Sequence, residues 1–259
     1  MSTRTRLSFD ITINQSGDKL PIHISDPGNL QADNLPLSTW GSAEVLANAL
    51  HRIGNGGDTL LAHVPDNVIP ILELGAGTGI AGLSAAAIWH TTAVLTDLAP
   101  ILPGIAANVA LNRALLAQHR GLALCGTLDW VRPAILNLNP ADDANDSKST
   151  RETEGHNAKY SHAKARMMLA ADTVYSEEHP ELLCSVIKAR LEPGPESRVI
   201  LCYPLRVGYL DFIRDLWERL EGMDLECCQE GRETIDESWD EDTPYEWCVW
   251  KWKGNGATL

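Results

Sequence analysis

The segment ILELGAGTGIAG, residues 71–82, constrains the fold of this chain more than any other stretch of its sequence. An apolar run that contains Glu73 is followed by glycines at positions 75, 77, 79 and 82. Glycine tolerates the left-handed backbone of a tight turn, and because it has no side chain a ligand can approach the backbone closely. The segment therefore predicts a strand, a glycine turn and a helix that begins at the turn, with a cofactor bound against the bend.

Short apolar strands and amphipathic helices alternate along the rest of the chain, a pattern typical of a parallel sheet with helices on both faces. The predicted strands lie within residues 67–74, 92–97, 122–128, 167–172, 198–203, 223–228 and 245–253. No helical pattern separates the last two strands, which predicts an antiparallel pair at the end of the chain. The fold class is therefore α/β, with a Rossmann-like, seven-stranded, mostly parallel sheet.

Two further segments complete the predicted domain organisation. Polar and apolar residues alternate on either side of the turn-rich spacer SGDK, which predicts an N-terminal β-hairpin within an extension over residues 1–36. One large domain over residues 37–254 follows it. Residues 138–165 are polar, mixed in charge and nearly free of aliphatic side chains, so they cannot repay the entropy of ordering. We predict a mobile insertion there.

The charge and composition of the chain indicate which classes of binding partner it is expected to lack. The chain of 259 residues carries 35 acidic against 21 basic side chains, a net charge of −14, and such a negative field repels nucleic acid. Its apolar runs fall short of the roughly 18 residues that span a bilayer, and its N-terminus lacks the apolar core of a signal peptide. We therefore expect no nucleic-acid or membrane partner and a cytoplasmic protein, with the nucleus as an alternative. The scattered histidines and cysteines lack metal-ligand spacing, so we expect no metal.

The glycine turn is compatible with two cofactors. Gly77-x-Gly79-x-x-Gly82 fits the dinucleotide fingerprint, which is weak evidence by itself, and Asp97 follows the next strand, where an acid can accept hydrogen bonds from a ribose. Glu73 favours a different ligand. A carboxylate beside the turn would repel a pyrophosphate and attract the ammonium and sulfonium of S-adenosylmethionine. The sequence thus favours S-adenosylmethionine over a nicotinamide dinucleotide.

Several motifs in a fixed order now resemble a known family. The segment E-L-G-A-G-T-G followed by L-T-D resembles the cofactor signature of the class I, seven-strand S-adenosylmethionine-dependent methyltransferases. Four further segments resemble methyltransferase family 16, which contains many protein-lysine methyltransferases. These are L-S-T-W-G-S-A-E-V-L-A at 37–47, I-A-A-N-V-A-L-N at 105–112, L-D-W at 128–130 and A-D-T-V-Y at 171–175. The resemblance covers roughly residues 35 to 250.

The resemblance implies a role for each matching position on the cofactor side. Trp40 would lie against the methionine end of the cofactor, Glu73 near its ammonium and Asp97 at its ribose. Backbone contacts would come from Gly75, Ala76 and Gly77. Trp130 would flank the adenine, and Ala171 would form part of the pocket wall.

On the substrate side, the end of the fourth parallel strand carries the residues that we expect to act in methyl transfer. Asp172 would orient an incoming amine, and Tyr175 would line the channel to it. Enzymes that methylate amino groups of nucleic-acid bases usually carry Asn/Asp-Pro-Pro-aromatic at this strand end, whereas this chain has D-T-V-Y. We therefore expect an N-methyltransferase that acts on a lysine in a basic segment of a protein.

The resemblance to family 16 makes a translation elongation factor our first candidate for that protein. Three alternatives remain open at the level of sequence. The first is a small-molecule amine N-methyltransferase of the same fold, and the second is an NAD-dependent oxidoreductase. The third is a non-catalytic protein that binds the cofactor without turnover.

Overall fold

A computed structural model describes residues 5–26, 31–32, 35–36, 39–53, 57–139, 159–234 and 243–254 of the chain. Its strands are β1 Thr5–Thr12, β2 Lys19–Asp26, β3 Gln31–Ala32, β4 Leu35–Pro36, β5 Ile69–Leu74, β6 Thr92–Asp97, β7 Leu122–Leu128, β8 Leu136–Asn139, β9 Ala165–Ala171, β10 Arg198–Pro204, β11 Leu225–Glu233 and β12 Tyr245–Trp252. Its α-helices are α1 Gly41–Ala49, α2 Gly57–Leu61, α3 Ile80–Ile88, α4 Leu102–Gln118, α5 His179–Arg190 and α6 Leu210–Gly222, with short 3-10 turns at Leu50–Arg52 and Val207–Tyr209.

The main sheet has eight strands in the order β11-β12-β10-β9-β5-β6-β7-β8. Strands β7, β6, β5, β9 and β10 are parallel, whereas β12 pairs antiparallel with both β10 and β11. The predicted Rossmann-like sheet with an antiparallel last pair is thereby confirmed. The strand order reverses between β5 and β9, and in sheets of this kind ligands bind outside the carboxyl ends of the strands at that point.

Strand β8 is an addition that the sequence did not reveal, because it supplies only four residues at the start of the predicted insertion. It pairs antiparallel with β7, and its Leu136 and Leu138 side chains are buried. Residues 140–158 of the predicted insertion 138–165 lie outside the described residues. At its far end Tyr160 and Ala163 are buried, and strand β9 begins at Ala165.

Two apolar layers sandwich the sheet, as the alternation of side chains along a strand requires. In β9, Met167 and Leu169 belong to the layer that includes α1, α3 and α4, whereas Met168 and Ala170 belong to the layer that includes α5 and α6. Both faces are therefore covered, which explains why the central strands read as nearly continuous apolar runs. Of the described helices, none combines the length and the apolar character that a bilayer crossing requires.

The N-terminal hairpin forms as predicted, with β1 and β2 antiparallel and Phe9 opposite Ile22. Its apolar face is not separate from the rest of the molecule, because Ile11, Ile22 and Ile24 are fully buried in the layer that contains α1 and α4. The hairpin therefore packs as part of one core. The boundary between an extension over 1–36 and a domain over 37–254 stays a prediction.

Candidate active site

The candidate site lies where β5, β6 and β9 end, at the reversal of strand order. The turn after β5 holds three glycines in left-handed conformations, with φ of 60° at Gly75, 54° at Gly77 and 81° at Gly79. Residues with a Cβ adopt such angles at a cost, which is why the turn needs glycine at these positions. The Ala76 amide donates to the Thr96 carbonyl at 2.9 Å, so the turn is fastened to the neighbouring strand.

Asp97 ends β6 and faces the glycine turn directly. Its Oδ2 accepts a hydrogen bond from the Gly77 amide at 2.8 Å, and its Oδ1 accepts one from the Leu98 amide at 2.7 Å. These two bonds fix the orientation of the carboxylate beside the turn, and the side chain remains partly exposed. The structure thus brings Asp97 to the predicted place, and its contact with a ribose stays a prediction.

Glu73 is buried, and its carboxyl group faces the first turn of α3. Its side chain is only 2% exposed, and its Oε2 accepts a hydrogen bond from the Gly82 amide at 3.0 Å, in the first turn of α3. Burial, with a smaller contribution from the charge of Asp97, raises the pKa of Glu73 to about 8, although the Gly82 amide opposes the shift. The carboxyl group is therefore held against the start of the helix. Its predicted proximity to the ammonium of the cofactor stays a prediction.

Gly82, the third glycine of the apparent dinucleotide fingerprint, makes room for this arrangement. A Cβ at Gly82 would collide with Oε2 of Glu73. In dinucleotide-binding proteins the pyrophosphate sits on the amide groups at the start of this helix. Here one of those amides already donates to a carboxyl group of the protein itself. The geometry consequently disfavours a pyrophosphate, for a reason that spacing alone did not reveal.

The two tryptophans expected at the cofactor differ in how the structure connects them to the turn. Trp40 directly precedes α1 and is 38% exposed, and the hydroxyl groups of its neighbour Thr39 and of Thr78 in the turn lie 2.9 Å apart. Trp130 lies closer still, since a Cβ placed on Gly75 would be 3.3 Å from its ring carbon Cζ2. The structure thus places the Trp130 ring against the turn and connects the residue before Trp40 to it. Their contacts with a methionine end and an adenine stay predictions.

The substrate-side residues follow at the end of β9. Ala171 lies opposite Cys202 of β10, and the Asp172 amide donates to the Cys202 carbonyl at 2.9 Å. Asp172 itself has a φ of 57°, an uncommon conformation for a residue with a side chain and one that clusters at functional sites. The next residue, Thr173, reaches the glycine turn, because a Cβ on Gly75 would be 3.1 Å from its Cγ2. The residues predicted for the cofactor side and for the substrate side therefore meet at Gly75.

His179 joins this group, and sequence reasoning missed it. Its ring lies edge-on to Tyr175 at 4.2 Å between centroids and to Trp130 at 5.9 Å, and the Tyr175 amide donates to its Nδ1 at 3.4 Å. The four-residue separation between Tyr175 and His179 at the start of a helix was the only available signal. Three rings thus connect the predicted adenine side with the predicted substrate channel. Among the described residues, no group of three or more His, Cys, Asp or Glu side chains could hold a metal ion.

The chain is similar in sequence to known lysine methyltransferases. A family profile described as lysine methyltransferase matches residues 28–142, which contain Trp40, the glycine turn, Asp97 and Trp130. The chain is 30% identical over 224 residues to the protein-lysine N-methyltransferase rrg1 of Schizosaccharomyces pombe, a match that covers 86% of this chain and 64% of that protein. It is 29% identical over 222 residues to the protein-lysine N-methyltransferase EFM2 of Saccharomyces cerevisiae, covering 82% of this chain and 46% of that protein.

The chain therefore spans about two thirds of the length of one of these relatives and about half of the other. A solved structure from Streptococcus mutans, assigned to the S-adenosylmethionine-dependent methyltransferases, superposes with a TM-score of 0.52 at 12% identity. That match covers 90% of this chain and 53% of the other. At this identity it supports the Rossmann-like fold alone.

Proposed function

On the premise that this chain resembles the lysine methyltransferases of family 16, we propose that it is an S-adenosylmethionine-dependent N-methyltransferase that acts on a lysine of a protein. The observation that carries the proposal is the junction at Gly75. There, a left-handed glycine turn suited to a cofactor lies against Thr173 and Trp130, one residue from the strained Asp172. A cofactor on the turn and an amine at Asp172 would be neighbours.

The residues at the turn fit S-adenosylmethionine, which when bound supplies an electrophilic methyl group on a positively charged sulfur. Gly75, Ala76 and Gly77 would approach it through backbone, and the Asp97 carboxylate would accept hydrogen bonds from its ribose. The filled amide at Gly82 favours this ligand over one that carries a pyrophosphate. Glu73, when ionised, would favour a cation.

A lysine amine has an ordinary pKa of about 10.4, so at neutral pH it arrives protonated and must lose its proton before it can attack the methyl carbon. We propose that the Asp172 carboxylate attracts the ammonium and fixes its direction, while removal from water at the channel favours the neutral amine. Tyr175 and Trp130, joined through His179, would form apolar walls that hold the side chain in line.

A basic segment of a protein suits this chain better than a nucleic acid, because the net charge of −14 attracts positive partners. D-T-V-Y at 172–175 also lacks the two prolines usual in enzymes that methylate amino groups of bases. We further propose a translation factor as the protein and the cytoplasm as the compartment. The support for both is the resemblance to family 16.

The test is transfer of a radiolabelled methyl group from S-adenosylmethionine to proteins of a cell lysate, read on a gel. We expect a labelled protein band with the wild type and none with Asp172→Ala, which should still bind the cofactor in calorimetry. Asp224→Ala is the matched control, because Asp224 also has a left-handed φ, 62°, but lies where β11 begins. The Asp224→Ala substitution likewise places alanine at a left-handed backbone position, but away from the site.

Each contrary outcome has a distinct meaning. Label found only in small molecules would contradict a protein substrate and favour a small-molecule amine methyltransferase. Turnover that survives Asp172→Ala would remove Asp172 from the mechanism. Binding of a nicotinamide dinucleotide in place of S-adenosylmethionine would refute the methyltransferase assignment altogether.

A further inference from the structure

Two asparagines of α4, Asn108 and Asn112, are fully buried and use their carboxamides as both donors and acceptors. Asn112 Oδ1 accepts from the His23 amide at 2.9 Å, and its Nδ2 donates to the His23 carbonyl at 2.7 Å. Asn108 Oδ1 accepts from the Ser25 amide at 2.8 Å. A buried carboxamide that satisfies both of its ends cannot be replaced without leaving a polar group unpaired.

These bonds complete the outer edge of the N-terminal hairpin. His23 and Ser25 lie two residues apart in β2, so their backbone groups point away from β1 along the same edge. An open strand edge normally presents unpaired amides and carbonyls, and proteins cover such edges. Here two side chains, one helical turn apart on α4, make the hydrogen bonds to β2 that a neighbouring strand would otherwise make. At the other strand, Asn48 of α1 accepts from the Thr12 amide at 3.0 Å.

Asn108 also reaches the glycine turn. Its Nδ2 donates to the Thr78 carbonyl at 2.9 Å, and the Thr78 hydroxyl in turn lies 2.9 Å from that of Thr39, next to Trp40. Thr78 is 2% exposed and lies between the left-handed Gly77 and Gly79. One side chain therefore connects the hairpin edge to the middle of the turn, and a second hydrogen bond extends the connection to the start of α1.

We propose that Asn108 is a positioning residue that couples the N-terminal hairpin to the cofactor turn, so that the hairpin is a working part of the cofactor site. Because the Asn108 carboxamide is a rigid plane, the Ser25 amide that holds Oδ1 also sets the direction in which Nδ2 meets Thr78. Loss of the bond to Thr78 frees the turn carbonyl, and loss of the bond to Ser25 removes the contact that orients the carboxamide towards it. The effect on cofactor affinity rests on the proposed function, whereas the effect on the turn itself does not.

Asn108→Leu and Asn112→Leu form a matched pair of variants. Each removes a buried carboxamide from the same helix and breaks bonds to the same strand edge, but Asn108 alone of the two contacts the turn. We expect both variants to be less stable to denaturant by similar amounts. We expect only Asn108→Leu to speed hydrogen exchange of the peptide that spans residues 75–80 in the protein without cofactor, and to weaken S-adenosylmethionine binding about tenfold, the effect of one unpaired buried carbonyl.

A second pair of variants keeps both asparagines and changes the hairpin instead. This pair serves as the test if the Asn108→Leu and Asn112→Leu substitutions prevent folding. Ser25→Pro deletes the amide that holds Asn108, and His23→Pro deletes the amide that holds Asn112. Each proline removes one amide donor that is hydrogen-bonded in the wild type, so both variants should lose stability, and comparison of the two controls for that loss. We expect faster exchange at residues 75–80 with Ser25→Pro. With His23→Pro we expect exchange within about twofold of wild type, because the amide lost there is bonded to Asn112 and the bond from Asn108 to Thr78 is kept.

Equal effects of the two members of a pair, or unchanged exchange at the turn in both, would overturn the coupling and leave the asparagines as ordinary parts of the core. If the wild type does not bind S-adenosylmethionine, the proposed function fails. The exchange comparison still decides the inference in that case, because it needs no cofactor.

Discussion

Replacement of Glu73 by glutamine should change the pH dependence of stability more than any other single substitution at the turn. Glutamine has nearly the same size, and its Oε1 can still accept from the Gly82 amide, but it does not titrate. Burial holds the pKa of the Glu73 carboxyl at about 8 in the folded protein, against an ordinary value of 4.5 in an unfolded chain. The two states therefore hold different numbers of protons between these two pH values.

The difference in bound protons decides whether the free energy of unfolding rises or falls with pH. Between pH 4.5 and 8 the folded protein keeps a proton that the unfolded chain has released, so the free energy of unfolding falls as the pH rises. Each pH unit in this window is worth about 1.4 kcal/mol, so the loss from pH 5 to pH 8 is about 4 kcal/mol. The stabilisation is fully present below the unfolded pKa and is lost by the folded pKa. Glu73→Gln lacks this pH-dependent contribution to the free energy of unfolding.

Denaturant unfolding of wild type and Glu73→Gln at pH 5, 6, 7, 8 and 8.5 measures the effect. Other titrating groups contribute equally to both proteins, so the difference between the two unfolding free energies isolates Glu73. We expect the variant to gain about 4 kcal/mol relative to wild type between pH 5 and pH 8, or about 10 °C in Tm for a chain of this size.

Parallel curves for the two proteins over this pH range would refute the reasoning. They would mean that Glu73 does not change its protonation there, either because water reaches the carboxyl group or because a cation keeps it ionised. A difference with the opposite slope would place the pKa of Glu73 below its ordinary value. The lowering of the Glu73 pKa by the hydrogen bond from the Gly82 amide would then exceed the raising of that pKa by burial.

Three further predictions concern ligand binding and transfer. If Glu73 lies near the cationic cofactor, S-adenosylmethionine binding at pH 7 should release about one proton, measured by calorimetry in buffers of different ionisation enthalpy, and none in Glu73→Gln. Gly75→Ala should cost about 1–2 kcal/mol and abolish cofactor binding, whereas Gly17→Ala, with a φ of 82° and open space around it, should cost only stability. Tyr175→Phe keeps the ring contact with His179 and should retain far more transfer activity than Tyr175→Ala in the labelling assay.

The sequence predicted the parallel strands well because they are buried on both faces and read as apolar runs. The sequence predicted the strands at the two edges of the sheet poorly. The segment that became β11, Leu225–Glu233, extends well beyond the predicted 223–228, since an edge strand exposes alternate residues and half of its positions are polar or charged. A bulge between Cys227 and Gln229 disturbs its register further. Strand β8 was missed for a related reason, because four residues are too few to establish a period.

At the site, residue types at strand ends could be predicted but side-chain directions could not. Asp97 was found because it ends the strand that follows the glycine turn, and Asp172 because its segment resembles a motif of family 16. The direction of Glu73 was not predictable, since a glutamate with several rotatable bonds can face either the ligand or the helix. The roles of Asn108 and Asn112 were equally hidden, because their partners lie more than 80 residues away in the sequence.

Gly82, the third glycine of the apparent dinucleotide fingerprint, shows why contact and spacing can favour opposite conclusions. By spacing, Gly82 completes a dinucleotide fingerprint. By contact, its missing side chain admits the Glu73 carboxyl group, whose Oε2 accepts from one of the amides in the first turn of α3. That amide is not available to a pyrophosphate, and the carboxyl group, when ionised, would repel one. A ligand without phosphate meets neither obstacle, so the same glycine that suggests a dinucleotide is compatible with S-adenosylmethionine once the fold is known.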